Sequence, residues 1–373
     1  MTGATTPEVA VNALWCVPGQ VGGSEEYTAR QLLGLADIDA PYQVTTYAPA
    51  GWVAAHPDVA ARLPVVEASI DGRSRPRRVF TERTWLRART RDAALVHHAG
   101  GTLPGRPSGP TVLTIHDLQW LTYPEYVSAL KLRYLRLTVP RSARRATVVA
   151  VPSEYVRASV VEAYGLDPAR VVVVPHGFEA TLGRDATPEA DLRERYGLGD
   201  GPVLLLPAIT HPHKGHVFAL EAMAAHWHDP SMRLVMIGGR GLADDAVSAA
   251  IVRLGLEDRV VRPGRVPADD RDGLVRMANA VVFPTQYEGF GAPVLEAMAL
   301  GTPVVTSDRA CMPEVVGDAG IVLPLVREAW SDVPALVVSR REELVAAGRR
   351  RAATFTAARS GEALAAAYRL ALS

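Results

Sequence analysis

Glu288 and Glu296 bracket a glycine-bearing turn in the segment AVVFPTQYEGFGAPVLEAMALGTPVVTSD. The segment reads strand, loop, helix, strand, with Pro293 suited to the first helical position and the helix N-terminus at residues 289–292. Backbone N–H groups at such an end, left unobstructed at Gly289 and Gly291, suit phosphate oxygens, and the helix dipole adds roughly 0.3–1 kcal/mol per well-placed charge. Glu296 falls about one turn into the helix, where a carboxylate can accept hydrogen bonds from two vicinal hydroxyls. Glu288, at the helix mouth, faces whatever the phosphate carries. A nucleoside diphosphate joined to a sugar presents both kinds of group.

Elements on either side must hold these residues. At 373 residues the chain exceeds one ordinary core, so two domains are expected. Apolar runs rich in Val and Ile alternate with helical patterns, as buried parallel strands with crossover helices do. The first half predicts strands over 8–15, 43–48, 94–97, 111–115, 147–151 and 171–174, with helices over 24–36, 128–144 and 153–164. The second half predicts strands over 203–208, 233–238, 259–264, 280–285, 302–307 and 320–324. The polar, Gly- and Pro-bearing stretch 175–191 reads as a hinge, and 360–372 as an Ala-rich amphipathic helix that docks on something already folded. No tandem repeat or low-complexity tract is visible.

Composition excludes several classes. Hydrophobic residues make up 48% and charged residues 21%, and Lys plus Arg balance Asp plus Glu at 40 each. That balance argues against a general nucleic-acid binder, and no apolar run is long enough to span a membrane. The first residues lack a basic start and a long apolar stretch, so a cytoplasmic protein is expected. Cys16 and Cys311 stand far apart without metal-ligand spacing, so neither a disulfide framework nor a metal site is suggested. Positive charge concentrates locally in Arg73, Arg75, Arg77, Arg78, Arg83, Arg87, Arg89 and Arg91, and again in Lys131, Arg133, Arg136, Arg141, Arg144 and Arg145.

The stretch EGFGAPVLEAMALGTPVV resembles the signature of the retaining glycosyltransferases of family 4. The resemblance implies the GT-B architecture: two Rossmann-like α/β lobes facing a central cleft, with a C-terminal helix crossing back to the N-terminal lobe. Its domains would be an acceptor lobe over 1–178, a nucleotide-sugar lobe over 179–358 and the returning helix over 359–373. By the same resemblance Glu288 contacts donor sugar hydroxyls, Gly289, Phe290, Gly291 and Ala292 surround the diphosphate, and Glu296 binds the ribose. VPGQVGGSEEY resembles the family's first strand-to-helix loop, where Gly22 and Gly23 approach the diphosphate or acceptor. It lacks the GxGxxG spacing of a dinucleotide fingerprint, and Asp37 and Asp39 come too early to supply its acidic residue.

TVLTIHDLQW resembles the stretch that ends a strand on a site histidine. His116 also closes an apolar run at the carboxyl edge of a parallel sheet, where ligands of such folds bind. Ser153 reads both as the next strand-to-helix entry and as a plain N-cap. In LLLPAITHPHKGHV, Lys214 falls on the family lysine that meets the departing diphosphate. Many members carry an arginine in a Gly-Arg pair after the same strand, and this chain has Pro207 and Ala208 instead. His211, His213 or Arg240 are the available substitutes. PGRVPADD resembles the loop around the donor base, which assigns Gly264, Arg265 and Val266 to that base.

The implied chemistry is hexosyl transfer from a nucleoside diphosphate sugar to a glycan, lipid-linked or small-molecule acceptor, with no cofactor and no metal. No DxD motif occupies a strand-end setting that would hold one. The base and sugar stay open, with HDLQWLTYPE and PAITHPHKGH pointing toward a GDP-mannose-like or dTDP-rhamnose-like donor. A nucleotide-sugar epimerase and a non-catalytic nucleotide-sugar binder are the alternatives. The arginine-rich stretch Arg73 to Arg91, interrupted by Trp85 and Leu86, reads either as a contact with an anionic bilayer at the inner face of the plasma membrane or as a solvated helix face.

Overall fold

β-branched runs form the strands of two parallel sheets in the computed structural model, which describes residues 6–373. One unit runs to Glu179 and is completed by Phe355–Ser373, and the other is Ala180–Thr354. The first sheet comprises β1 (Glu8–Asn12), β2 (Gln43–Pro49), β3 (Val65–Ala68), β4 (Leu95–His98), β5 (Thr111–Thr114), β6 (Val148–Val151) and β7 (Val171–Val173). Its order is β3-β2-β1-β4-β5-β6-β7 and every pairing is parallel. β1 stops at Asn12 rather than 15, because the Asn12 side chain accepts from Leu14 N at 3.1 Å and Cys16 N turns back to Ala13 O at 2.9 Å. β3 escaped the sequence reading. It is four residues long, with Val66 and Glu67 both exposed, so no alternation marks it.

The helix Gly23–Asp37 and the last helix, Ala357–Leu372, pack backbone to backbone in this unit. A Cβ added at Gly34 would lie 1.9 Å from Ala357 O, and one at Gly361 would lie 2.2 Å from Gly34 C. The last helix thus completes the first core, to which it gives Leu364, Ala365, Ala367 and Tyr368. The arginine-rich stretch becomes Arg75–Thr81, a π-helical turn Glu82–Leu86 and Arg87–Arg89. Trp85 and Leu86 face inward against Tyr47 and Leu14. They therefore offer no apolar wedge to a bilayer.

The second sheet comprises β8 (Val203–Pro207), β9 (Arg233–Ile237), β10 (Val260–Gly264), β11 (Ala280–Phe283), β12 (Val304–Ser307) and β13 (Ile321–Leu323), ordered β10-β9-β8-β11-β12-β13, again all parallel. β11 ends at Phe283 rather than 285, since Thr285 N folds back to Phe283 O at 2.8 Å. β12 starts at Val304 rather than 302, because Thr302 N still closes the preceding helix on Ala297 O. Both cysteines are buried as free thiols. Among the described residues no helix is long and apolar enough to cross a membrane.

Candidate active site

In the second sheet the strand order reverses between β8 and β11. Connections leaving two such strands go to opposite faces, so a crevice opens beyond their carboxyl ends. The loop after β8 carries Lys214 and the loop after β11 carries Glu288. Lys214 Nζ donates to Glu288 Oε1 at 2.5 Å, with the two side chains 20% and 11% exposed. The lysine closes a short 3-10 turn, Pro212–Lys214, and Gly215 follows at φ 74° with room for no side chain, since a Cβ would lie 2.0 Å from Pro284 O. Thr285 Oγ1 lies 3.1 Å from Glu288 Oε1 and 3.1 Å from His213 O, so its one proton can tie either loop. Gln286 N binds His213 O at 2.7 Å, joining the loops directly.

The helix Ala292–Leu300 starts beside this pair. Its N-cap is Gly291 at φ 91°, where a Cβ would meet Met312 Cε at 2.2 Å. Pro293 is therefore the second helical residue rather than the first, which its missing N–H also allows. Phe290 is buried and Glu296 half-buried one turn along. Cys311 Sγ donates to Glu288 O at 3.3 Å, and burial pushes that thiol well above its usual range, so it acts as a donor and not as a thiolate. Sequence reasoning missed Thr285 and Cys311 as supports of Glu288, for neither residue carries a motif of its own.

In the first unit His116 follows β5. Its Nε2 lies 2.8 Å from Ala99 O, which fixes the proton on Nε2 and leaves Nδ1 as an acceptor. Burial pushes its pKa down to about 4, so the ring is neutral at pH 7. Trp15 and Tyr27 lie against it at 5.4 and 5.5 Å between ring centroids. Tyr27 belongs to the helix that Gly22 (φ 72°) and Gly23 begin, so that helix meets His116 through the Tyr27 ring. The first turn of that helix already holds a carboxylate: Glu25 accepts from Gly19 N at 2.9 Å and faces His56 Nε2 at 3.1 Å. Ser153 Oγ accepts from Val156 N at 3.2 Å, which is the N-cap geometry.

Residues 21–182 match the family model described as Glycosyltransferase Family 4, and residues 189–332 the model described as Glycosyl transferases group 1. This chain belongs to glycosyltransferase family 4. It is 31% identical over 214 residues to O-antigen chain mannosyltransferase B of Escherichia coli, covering 57% of this chain and 56% of that one. It is 28% identical over 230 residues to the alpha-D-kanosaminyltransferase of Streptomyces kanamyceticus, covering 58% of each. The matches thus span little more than half the length of these curated relatives. The fold is that of Anabaena HepE solved with UDP and glucose, with a TM-score of 0.76 at 19% identity over 97% of this chain and 99% of that one. The architecture is GT-B.

Within this family member, Gly264 lines a cavity of about 330 Å³ with Ala208, Thr210, His216, Arg240 and Arg262. Lys214, Glu288 and Glu296 are not part of its lining. Arg265 is exposed and lies over Gly239, and Val266 is half-buried beside it. Of the substitutes for the missing arginine, Arg240 is ion-paired and His213 is uncharged. Arg240 Nε pairs with Asp244 Oδ2 at 2.7 Å, and Arg262 takes the other oxygen of the same carboxylate at 2.5 Å. His213 is buried and its pKa is pushed down to about 3, chiefly by burial and then by Lys214, so it carries no charge at neutral pH. Asp270 is held by Thr187, Tyr196 and Arg195, and Asp272 by Gly183 N and Arg271, so this acidic pair is occupied structurally.

Proposed function

We propose that this chain transfers a hexose from a nucleoside diphosphate sugar to a hydroxyl of a glycan, glycolipid or secondary-metabolite acceptor, with retention at the anomeric carbon and without a metal. The reading rests above all on the Lys214–Glu288 pair at the mouth of the helix Ala292–Leu300. A donor diphosphate entering there exchanges for Glu288 as the partner of Lys214, and the backbone amides of Gly291 and Ala292 bind its oxygens. Glu288 is then released to accept from the sugar hydroxyls, and Glu296 accepts from the ribose. Gly264, Arg265 and Val266 hold the base. Gly22 and Gly23 border the acceptor side.

As the bond from the anomeric carbon to the phosphate oxygen breaks, its electron pair moves to the diphosphate, where Lys214 and the helix amides stabilise it. The acceptor oxygen bonds to the anomeric carbon on the same face, and its proton passes to the departing phosphate. His116, neutral and with Nδ1 as acceptor, holds a hydroxyl of the sugar or the acceptor. The names of the two relatives, a mannosyl- and a kanosaminyltransferase, favour a six-carbon donor, with GDP-mannose first among those to try. We place the activity in the cytoplasm, with any bilayer contact made through Arg73 to Arg91.

The test is to incubate the protein with GDP-mannose, dTDP-rhamnose and UDP-glucose and a panel of hydroxyl acceptors. Released nucleoside diphosphate and the anomeric configuration of the product by NMR are then measured. Acceptor-dependent release and a product with the donor's own anomeric configuration are expected. An isomerised nucleotide sugar would mark an epimerase, and tight binding without release a binder; either result overturns the proposal.

A further inference from the structure

The β4–β5 connection, residues 99–110, contains no helix, unlike the connections on either side of it. A cavity of about 620 Å³ lies beside β4 as a result, bounded by the helical stretch from Glu82 onward and by residues 103–110. Its walls carry four arginines: Arg83, Arg87, Arg91 and Arg106. Arg83 donates through Nε to Pro104 O at 2.5 Å, its one side-chain hydrogen bond among the described residues. Among the described residues Arg87, Arg91 and Arg106 have no ion-pair or side-chain hydrogen-bond partner. Other arginines of the same stretch are committed elsewhere: Arg75 lies over the Tyr134 ring at 4.6 Å, Arg89 over Trp85 at 4.3 Å, and Arg78 beside Glu82 at 3.9 Å.

The lining also includes two buried polar side chains, Glu82 and His98. Asn12 joins them, donating through Nδ2 to Glu82 Oε1 at 3.1 Å and to His98 Nδ1 at 3.0 Å. Accepting at Nδ1 puts the His98 proton on Nε2, and the ring is neutral because burial pushes its pKa down to about 4. These two groups offer one strong acceptor and one neutral donor, the complement of a hydroxylated molecule. The four guanidinium forks around them call for an anion of more than one charge with several oxygens, which a phosphate monoester supplies and a single carboxylate does not.

We propose that this cavity binds a phosphate ester of a polyhydroxylated small molecule, with the phosphoryl group on Arg83, Arg87, Arg91 and Arg106 and the hydroxyls on Glu82 and His98. The volume suits a ligand of that size. The site shares no residue with the proposed transfer machinery, and its test needs no turnover.

Calorimetric titration of the full chain with glucose 1-phosphate and with inorganic pyrophosphate checks this. Both are expected to bind, more weakly as salt rises. Arg87→Gln combined with Arg91→Gln should weaken glucose 1-phosphate by about tenfold or more, the effect of losing charge-assisted hydrogen bonds. The melting temperature should hold, since both side chains are exposed. Lys214→Ala should leave glucose 1-phosphate binding unchanged. Glu82→Gln should weaken glucose 1-phosphate but not pyrophosphate. Vesicles of phosphatidylglycerol distinguish a lipid headgroup from a soluble ester: co-sedimentation that glucose 1-phosphate abolishes supports the cavity. Co-sedimentation without any binding of the soluble ester overturns it. So does wild-type affinity in the double arginine variant, or loss of glucose 1-phosphate binding in Lys214→Ala.

Discussion

Lys214 Nζ and Glu288 Oε1 lie 2.5 Å apart on loops that leave β8 and β11, the two strands between which the second sheet reverses direction of growth. Each is the other's counter-charge until an anion arrives. Removing either leaves a charge without its partner at the proposed reaction centre. Lys214→Ala and Glu288→Gln should each lower kcat by about 10² to 10³, the scale of losing one preorganised electrostatic group. The double variant should lose far less than the product of the two, because both act in one unit. Steady-state kinetics on all four proteins of the cycle measure the coupling. Strictly multiplicative losses would mean the contact plays no part in turnover.

Gly215 places Lys214. At φ 74°, with Pro284 O where a Cβ would be, Gly215→Ala meets both backbone strain and a rigid carbonyl. A loss of at least 1–3 kcal/mol in stability is expected. Gly291→Ala meets the flexible end of Met312 instead, although its φ of 91° is equally unfavourable. Combining Gly291→Ala with Met312→Ala should therefore relieve the clash and leave the strain. No second-site change at a side chain should relieve Gly215→Ala. Denaturant midpoints of the single and paired variants separate the two cases.

Glu296 and Glu288 occupy one segment but are assigned different tasks. Glu296→Ala should raise KM for the donor and weaken nucleoside diphosphate binding, with kcat changed little, because a ribose contact is the same before and during bond breaking. Calorimetry with the nucleoside diphosphate is the direct measurement. Unaltered affinity beside a large fall in kcat would reassign Glu296 to the chemistry.

Much of this architecture was legible in the sequence. Buried parallel strands announce themselves as Val-rich runs such as VLLLP and AVVF, and the glycine, proline and paired glutamates of EGFGAPVLE mark a helix mouth by steric and electrostatic need. β3 was not legible, because a four-residue strand with a mostly exposed face carries no period. The contact of Lys214 with Glu288 joins residues far apart in the chain and follows from strand order, which periodicity does not encode. The fate of Arg240 was hidden for the same reason: its partner Asp244 also binds Arg262, a residue contributed by another strand. The cavity walled by Arg83, Arg87, Arg91 and Arg106 combines a legible charge run with an illegible event, a crossover that forms no helix.

Buried histidines give the fold a pH dependence whose sign is fixed. Burial lowers the pKa of His97 and His213 to about 3 and of His98, His116 and His216 to about 4. In the unfolded chain each titrates near 6.5. Between about pH 6.5 and pH 4 the unfolded state therefore binds protons that the folded state does not, and stability rises with pH across that window. Acidification from pH 7.5 to 5 should cost on the order of 1–2 kcal/mol per histidine. Asp270 is shifted in the same direction, lowered to about 2 against the cost of burial by its bonds to Thr187, Tyr196 and Arg195, so its stabilising share has the same sign but is lost only below about pH 4. Calorimetric melting at pH 7.5, 6 and 5 should show a progressive fall in Tm and no change from pH 7.5 to 8.5 on account of these groups. A Tm that stays level down to pH 5 would contradict the burial of these rings as neutral imidazoles.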